Sequence, residues 1–270
     1  MKIVVVFSNY GPYHLARLSG FQKICDRLNW SLLGIELARS QVEYPWKTEL
    51  QNIKTKIISI CEEQPVEKTN LIQVIKNISA TLSQIQPDII VISGYSRLSM
   101  IFLILWSKWN QKKAILLSES KEDDATRVRW IESLKRCIIQ GYDAALVGGR
   151  LHKNYLISLG MPEAAIFFGY DIVDNSVFNS DQIKQLVKPI DRKYFLAINR
   201  FVPKKNLSFL ISSYAAYRKV AGVNAWDLAI CGDGQLRDDI EQQILELGLN
   251  DCVHLPGFLQ QEQLLPYFAH

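Results

Sequence analysis

Short apolar runs alternate with stretches of helical periodicity along most of this chain, and this rhythm limits its possible folds. The first run, residues 3–7, is rich in β-branched side chains and ends in the polar, glycine-bearing segment 8–12. Apolar residues then recur at helical spacing over residues 13–28. Continuous apolar runs are typical of strands that are buried on both faces of a parallel sheet. Seven such runs precede residue 170, which predicts an α/β fold with a doubly wound sheet.

A second strand–loop–helix–strand unit occupies residues 194–234. Its first apolar run leads into a basic loop with Arg200 and Lys205, and its second run ends in Gly232-Asp233-Gly234. In parallel βαβ units the ligand lies beyond the carboxyl ends of the strands. Asn206 is suited to cap the intervening helix, whose free N–H groups would then converge with the two cations. Such a place attracts a phosphate.

A simpler interpretation of this basic loop is a solvated surface turn, because exposed lysines and arginines are common. The glycines after the second run favour the phosphate site, since glycine lets backbone approach a ligand closely. The segment lacks the third glycine and the first-strand context of a dinucleotide site, which disfavours a dehydrogenase.

Three motifs in the last third of the chain resemble the nucleotide-sugar domain of the family 4 retaining glycosyltransferases of the GT-B fold. These motifs are NRFVPKKN at residues 199–206, CGDG at 231–234 and VHLPGF at 253–258, and the similarity covers about 75 residues. The resemblance implies two Rossmann-like doubly wound domains with an active cleft between them. It implies transfer of a sugar from a nucleotide diphosphate to an acceptor, with retention of configuration.

The resemblance also assigns roles to individual residues. Arg200 and Lys205 match the family's cations, which hold the donor diphosphate and stabilise the leaving group without a metal or other cofactor. The glycine-rich segments lie near the nucleotide, and the matching positions here are Gly232, Gly234, Gly257 and Phe258. Gly11, which follows the first strand, matches a glycine loop that faces the donor diphosphate. Its alternative interpretation is an ordinary turn glycine.

Acceptor-side candidates come from the first half of the chain. His14 lies in the first turn of the opening helix, and a neutral imidazole there could donate or accept a hydrogen bond. Glu119 follows a strand and resembles the family's segment near the reacting sugar. Tyr10 and the polar loop 39–52 are further candidates for acceptor binding. Most lone histidines have structural roles, so a structural role for His14 stays open. Asp171 and Asp174, near the end of the first domain, are interpreted as residues with a turn and interdomain role rather than a catalytic one.

We divide the sequence into a first domain at 1–178, a linker at 179–193 and the beginning of a second domain at 194–270. The family's nucleotide-binding domain continues with further strands and a Glu-x7-Glu segment, which this sequence lacks. We therefore expect a C-terminally truncated chain with an incomplete second domain. The full-length parent would be a hexosyl-type transferase, while this chain would be weakly active or inactive. The alternative is a non-catalytic or degenerate protein that binds nucleotide sugars.

Composition narrows the partners. A net charge of +4 and a pI near 8.7 suit a phosphate-bearing ligand or an anionic membrane surface, but are too weakly basic for a nucleic-acid-binding protein. The cysteines form no Cys-x-x-Cys pair, which argues against a metal site and favours reduced thiols in the cytoplasm. The expected partners are a nucleotide sugar and a carbohydrate or lipid-linked acceptor, with the cytoplasmic membrane face as a further option.

The longest apolar run, residues 100–106, is followed by Lys108 and Trp109. It is too short to span a bilayer. Its position between two strand-like runs favours a helix that packs on the sheet, and an interfacial membrane helix is the alternative.

Overall fold

The computed structural model describes residues 1–42 and 44–270 and divides into two compact units, Met1–Asp174 and Asn175–His270. Residues 175–193, most of which the sequence analysis treats as a linker, are therefore grouped with the second unit. Within the described residues, no helix has both the length and the apolar character that crossing a membrane requires.

The first unit contains one sheet of seven parallel strands in the order β3-β2-β1-β4-β5-β6-β7. This order confirms the predicted doubly wound α/β fold, because the chain moves outward from β1 in both directions. The elements are β1 (Lys2–Phe7), α1 (Pro12–Arg27), β2 (Ser31–Ser40), β3 (Ile57–Pro65), α2 (Leu71–Ile85), β4 (Ile89–Ser93), α3 (Leu98–Trp109), β5 (Lys113–Ser118), α4 (Arg129–Ile139), β6 (Ala144–Val147), α5 (Arg150–Ser158) and β7 (Ile166–Phe168).

Alternation along β1 creates two hydrophobic cores, one on each face of this sheet. Val4 and Val6 belong to a core that also contains buried side chains of α2, α3, α4 and α5. Ile3, Val5 and Phe7 belong to a core on the opposite face that includes buried residues of α1. Both faces of the strand are thus covered, which explains why its sequence is apolar throughout.

The second unit contains three parallel strands in the order β10-β9-β8. Its core lies between this sheet and the two helices that connect the strands. Tyr194 on β8 contacts Tyr267 of the last helix, whereas the neighbouring Phe195 contacts Tyr217 of α7, so helices lie on both sides of β8. The elements are α6 (Ser180–Ile183), β8 (Tyr194–Ile198), α7 (Leu207–Ala221), β9 (Asp227–Cys231), α8 (Arg237–Glu246), β10 (Val253–Gly257) and α9 (Gln261–Ala269).

Candidate functional site

In the second unit, backbone hydrogen bonds join the loops that follow the three strands. The Asn199 N–H donates to the Cys231 carbonyl at 3.0 Å, and the Gly232 N–H donates to the Gly257 carbonyl at 2.8 Å. The Phe201 N–H donates to a carbonyl of the β9–α8 loop at 2.8 Å. The two neighbours of Arg200 are therefore fixed by hydrogen bonds, Asn199 to the end of β9 and Phe201 to the loop after β9.

Gly232 and Gly234 make this close approach of the loops possible. Both adopt positive φ, +143° and +154°, a region that side chains disfavour. A Cβ at Gly232 would lie 1.8 Å from the Asn199 carbonyl oxygen, and one at Gly234 would lie 2.7 Å from the Phe201 oxygen. The sequence predicts that these glycines allow the backbone to approach a ligand closely. In the structure their glycine requirement comes from the chain's own loop, which carries Arg200.

The cationic residues lie at the start of α7. Arg200 is partly buried, and Lys205 is exposed at the end of a 3₁₀ turn, Pro203–Lys205. Asn206 occupies the N-cap position of α7 as predicted, but it has φ +50° and its side chain makes no capping hydrogen bond. This corrects the predicted side-chain cap: the left-handed backbone of Asn206, rather than its amide group, turns the chain into the helix.

Two further predicted nucleotide contacts lie at the end of β10. Gly257 has φ +85°, and a Cβ there would meet no atom within 4 Å. Phe258 follows it and is partly exposed. The hydrogen bond from Gly232 to Gly257 connects this segment to the loop after β9, so the glycine segments that the resemblance groups together are neighbours in the fold.

In the first unit, the carboxyl ends of β1, β4 and β5 surround a cavity of about 270 Å³. A predicted acceptor-side residue, His14, lines it together with Glu119. The remaining lining is mostly polar and comes from the ends of these strands, the segments that follow them and the residue after β2, with Ser8, Asn9, Gln41, Ser93, Arg97, Ser118 and Ser120 among its members. This position agrees with the rule that parallel sheets bind ligands beyond the carboxyl ends of their strands.

His14 is held as a neutral ring. It stacks on Phe7 with the ring centroids 4.1 Å apart, and its Nδ1 atom lies 3.2 Å from the Gly11 N–H and 3.1 Å from the Asn9 carbonyl oxygen. Burial, together with the nearby positive charge of Arg17, lowers the pKa of His14 to about 4. His14 is therefore uncharged at neutral pH and cannot serve as a cation for an anionic ligand there.

Glu119 has the opposite shift. Partial burial raises the pKa of its carboxyl group above the usual value, and the negative charge of Asp171 adds to this. Arg17 opposes the shift and also anchors the end of the first unit, because its guanidinium bonds to Asp171 at 3.2 Å and lies 4.5 Å from the Tyr170 ring centroid. Asp171 is thus held at a bend of the chain by Arg17 of α1.

Two predicted acceptor contacts need correction or qualification. Tyr10 is fully buried, and its hydroxyl donates to the Val5 carbonyl at 2.8 Å, so it is a core residue rather than an acceptor contact. Residue 43 of the loop 39–52 lies outside the described residues.

Gly11 begins α1, and a Cβ there would lie 3.2 Å from the Trp46 ring, so its small size matters to the packing of the loop 39–52.

Sequence reasoning missed Glu36, which supports the β1–α1 loop from inside the protein. Its carboxylate is completely buried on β2 and accepts hydrogen bonds from the Tyr10 N–H at 3.0 Å and the Ser59 hydroxyl at 2.6 Å. Arg39 lies 3.6 Å from the same carboxylate. A single charged residue within the otherwise apolar strand GIELA was the sequence signal that could have identified it.

The second unit of the chain matches a known protein family. Residues 178–270 match the family model described as Glycosyl transferases group 1. No curated protein sequence matches the chain significantly.

Within the part of the chain that the structure describes, no group of three or more histidine, cysteine or acidic side chains could hold a metal ion.

Similar solved structures share the fold over nearly the whole chain. HepE of Anabaena, in complex with UDP and glucose, has a TM-score of 0.71 and 14% identity over 99% of this chain and 71% of that chain. The lipopolysaccharide outer core galactosyltransferase WaaB has a TM-score of 0.58 and 17% identity over 98% and 70%. The UDP-GlcNAc 2-epimerase of Neisseria meningitidis, bound to UDP-GlcNAc, has a TM-score of 0.62 and 14% identity over 99% and 74%. The chain therefore has an α/β fold of the GT-B type, and the glycosyl transferases group 1 model matches its second unit.

Proposed function

We propose that this protein takes part in the transfer of a sugar from a nucleotide diphosphate donor to an acceptor hydroxyl group. The observation that carries the proposal is the basic loop after β8, where the glycines of the next loop fix the backbone around Arg200 at the start of α7. This loop lies within the residues that match the glycosyl transferases group 1 model. The complexes of structural neighbours with UDP and UDP-GlcNAc support a nucleotide sugar as the ligand.

Arg200 and Lys205 would act electrostatically. As the bond between the sugar and the diphosphate breaks, negative charge accumulates on the phosphate oxygens, and fixed cations stabilise that charge most in the transition state. Arg200 can bind phosphate with two parallel N–H groups, whereas Lys205 acts as a point charge. Backbone N–H groups at the start of α7 would add to the anion site.

The cavity of the first unit is our candidate for the acceptor. In the reaction, the sugar carbon loses its bond to the diphosphate oxygen and gains one to the acceptor oxygen on the same face of the sugar. The acceptor's proton leaves for a basic group. Glu119 is the candidate base, because the raised pKa of a carboxyl group makes its carboxylate a better proton acceptor. His14, neutral at pH 7, would form a hydrogen bond to the acceptor rather than an ion pair.

Several finer features belong to the same proposal. We propose retention of configuration, a hexose as the transferred sugar, and no requirement for a metal or cofactor, as in the family 4 enzymes that the motifs resemble. A cytoplasmic setting fits the five cysteines, which are all free thiols. Weak activity of residues 1–270 stays a prediction.

Nucleotide binding by the chain tests this proposal without requiring turnover. Residues 1–270 are titrated with UDP, GDP and ADP while thermal unfolding is followed. A nucleotide at 100 times its Kd should stabilise the folded protein by about 2.7 kcal/mol. Arg200→Ala or Lys205→Ala should weaken binding by roughly 10- to 100-fold, because each removes a charged hydrogen-bond donor worth about 1.5–3 kcal/mol.

Lys204→Ala is the matched control, since it removes one positive charge from the same exposed turn. We expect it to weaken binding much less than Lys205→Ala does. Equal effects of the two substitutions would indicate that the basic loop attracts the nucleotide only through its overall positive charge, without a specific role for Lys205. Failure of all three nucleotides to stabilise the protein would contradict the proposal.

Two of the neighbours described above differ in activity, one being a galactosyltransferase and the other a UDP-GlcNAc 2-epimerase. Incubation with UDP-GlcNAc distinguishes these reactions, since epimerisation needs no acceptor and leaves its product without a new glycosidic bond. Nucleotide binding without either reaction would instead support the non-catalytic alternative.

A further inference from the structure

The helix α3 packs on the sheet with one side only. Met100, Leu103 and Trp106 are buried in the core. The opposite side presents Leu98 and Leu105, each 63% exposed, and the end of the helix presents Trp109, which is 87% exposed. These three residues share one face because they are spaced by seven and four positions. The predicted packing of this helix on the sheet is therefore confirmed, and its other side is apolar and exposed.

The helix α4 carries a second exposed apolar stripe. Trp130 is 69% exposed, Leu134 follows it by one helical turn with more than half of its surface exposed, and the exposed Cys137 continues the stripe. Only Ile139 of this helix is fully buried. On the side towards α5, Glu132 pairs with Lys135 and accepts a hydrogen bond from the Tyr155 hydroxyl, so its charge is directed into the protein.

The two helices are neighbours. Both pack on the same face of the sheet, because buried residues of each belong to one core. Gly141, just after α4, lies so close to α3 that a Cβ there would be 2.4 Å from a side-chain carbon of Ile104. Lys108 on α3 also pairs with Asp143, which precedes β6, at 3.2 Å. We define the α3–α4 face as Leu98, Leu105, Trp109, Trp130 and Leu134.

Basic side chains border the α3–α4 face. Arg129 and Arg136 are exposed on α4 beside its apolar stripe, and neither forms an ion pair with any residue that the structure describes. The helix α3 contains no acidic residue, and the only one in α4 is Glu132, which is paired on the opposite side. In the turn before α4, Lys121 pairs with Asp123, whereas Glu122 is exposed.

We propose that the α3–α4 face is a docking surface for an anionic lipid membrane. Helices that lie in a membrane interface combine an apolar face rich in tryptophan and leucine with flanking lysine or arginine. Tryptophan favours the interface between headgroups and acyl chains, and arginine is attracted by anionic headgroups. The face offers both kinds of residue to solvent, whereas the one acidic residue of its two helices, Glu132, is directed into the protein.

The charge pattern favours a membrane over a second copy of this chain. A symmetric self-contact would bring Arg129 and Arg136 of two copies close together, and like charges oppose such an arrangement. An anionic bilayer supplies the opposite charge over a broad, deformable surface that needs no matching shape. The inference does not depend on sugar transfer, because it concerns residues outside both candidate sites.

Vesicle binding tests this proposal. Residues 1–270 are mixed with vesicles of phosphatidylcholine alone or of equal parts phosphatidylcholine and phosphatidylglycerol, and bound protein is measured by cosedimentation. We expect binding to the anionic vesicles only, decreasing with added salt. Replacing Trp109 and Trp130 together by serine should weaken binding about tenfold or more. Arg129→Gln and Arg136→Gln should each weaken it about fivefold.

The second unit offers matched controls for both kinds of change. Val223→Ser alters a fully solvated apolar residue, and Lys219→Gln removes an exposed positive charge. Neither should alter binding. All these sites are exposed, so unchanged thermal unfolding should confirm that the variants fold. Absence of binding to anionic vesicles, or equal loss in variants and controls, would overturn the proposal. The proposal would also be overturned if the tryptophan substitutions converted a dimer to a monomer and left vesicle binding unchanged.

Discussion

At the scale of single residues, His14 shows how the candidate cavity restricts protonation. The ring is buried against Phe7 and lies near the positive charge of Arg17, so the folded protein lowers its pKa to about 4. In the unfolded chain the pKa would be about 6.5. Between these values the unfolded chain binds more protons, so the free energy of unfolding falls as pH falls.

We predict that His14→Gln removes this pH dependence. Glutamine at the same position can still accept the Gly11 N–H, as in a capping box. In the unsubstituted protein, His14 contributes about 3 kcal/mol to the free energy of unfolding above pH 6.5, and this contribution is lost as the pH falls to 4. The measurement is urea unfolding at several pH values from 4 to 7. If the free energy of unfolding had the same pH dependence in the unsubstituted protein and the variant, the lowered pKa assigned to His14 would be disproved.

Glu36 illustrates a residue whose role the sequence signalled but did not explain. It is a buried carboxylate, and its hydrogen bonds reach the backbone of the loop that carries Gly11. An apolar strand with one charged residue indicates a paired group. The partner could not be predicted, because Tyr10 and Ser59 approach Glu36 only after three strands have assembled.

At the scale of elements, the starts of α2 and α7 look alike in sequence but differ in the structure. Each helix begins after an asparagine. The Asn70 side chain accepts hydrogen bonds from the Ile72 and Gln73 N–H groups. Asn206 instead adopts the left-handed conformation and makes no side-chain cap. The same residue type thus stabilises one helix through its side chain and begins the other through its backbone conformation.

This difference predicts opposite responses to substitution. Asn70→Gly should reduce the free energy of unfolding by a few tenths of a kcal/mol and Asn70→Ala by about 1 kcal/mol, since both remove the cap. Asn206→Gly should be neutral or stabilising by about 0.5–1 kcal/mol, because glycine adopts positive φ without strain. Chemical unfolding of the three variants provides the values. Equal destabilisation by both glycine substitutions would show that Asn206 has a side-chain role.

At the scale of the whole molecule, the two units have separate hydrophobic cores. Every buried residue of the first two core clusters lies in the first unit, and every one of the third lies in the second. Because each core is formed by one unit alone, we expect unfolding in two transitions rather than one.

Two glycine substitutions should affect these transitions separately. Gly232→Ala introduces a Cβ against the Asn199 carbonyl oxygen and should destabilise only the second unit, by more than about 3 kcal/mol. Gly20→Ala, on the exposed side of α1 with no atom within 4 Å of the new Cβ, should stabilise only the first unit, by about 1 kcal/mol. Calorimetry measures both. A single transition that shifts with either change would contradict two independent cores.

The sequence by itself determined the fold class of the protein. The seven apolar runs of the first unit became seven parallel strands, because a β-branched run buried on both faces is stable in few other arrangements. It also determined the general position of both candidate sites, since polar and glycine segments follow the strands and carboxyl ends of parallel strands meet at one edge.

Only the tertiary structure decided which side chains are available at that edge. The burial of Tyr10, the neutral state of His14 and the glycine requirement at residue 232 all depend on atoms from segments distant in sequence or from neighbouring loops. The exposure of one side of α3 and α4 is likewise set by which helix packs beside which strand. Periodicity along one chain identifies an apolar face, but burial and pKa depend on the density and charge that other segments bring to it.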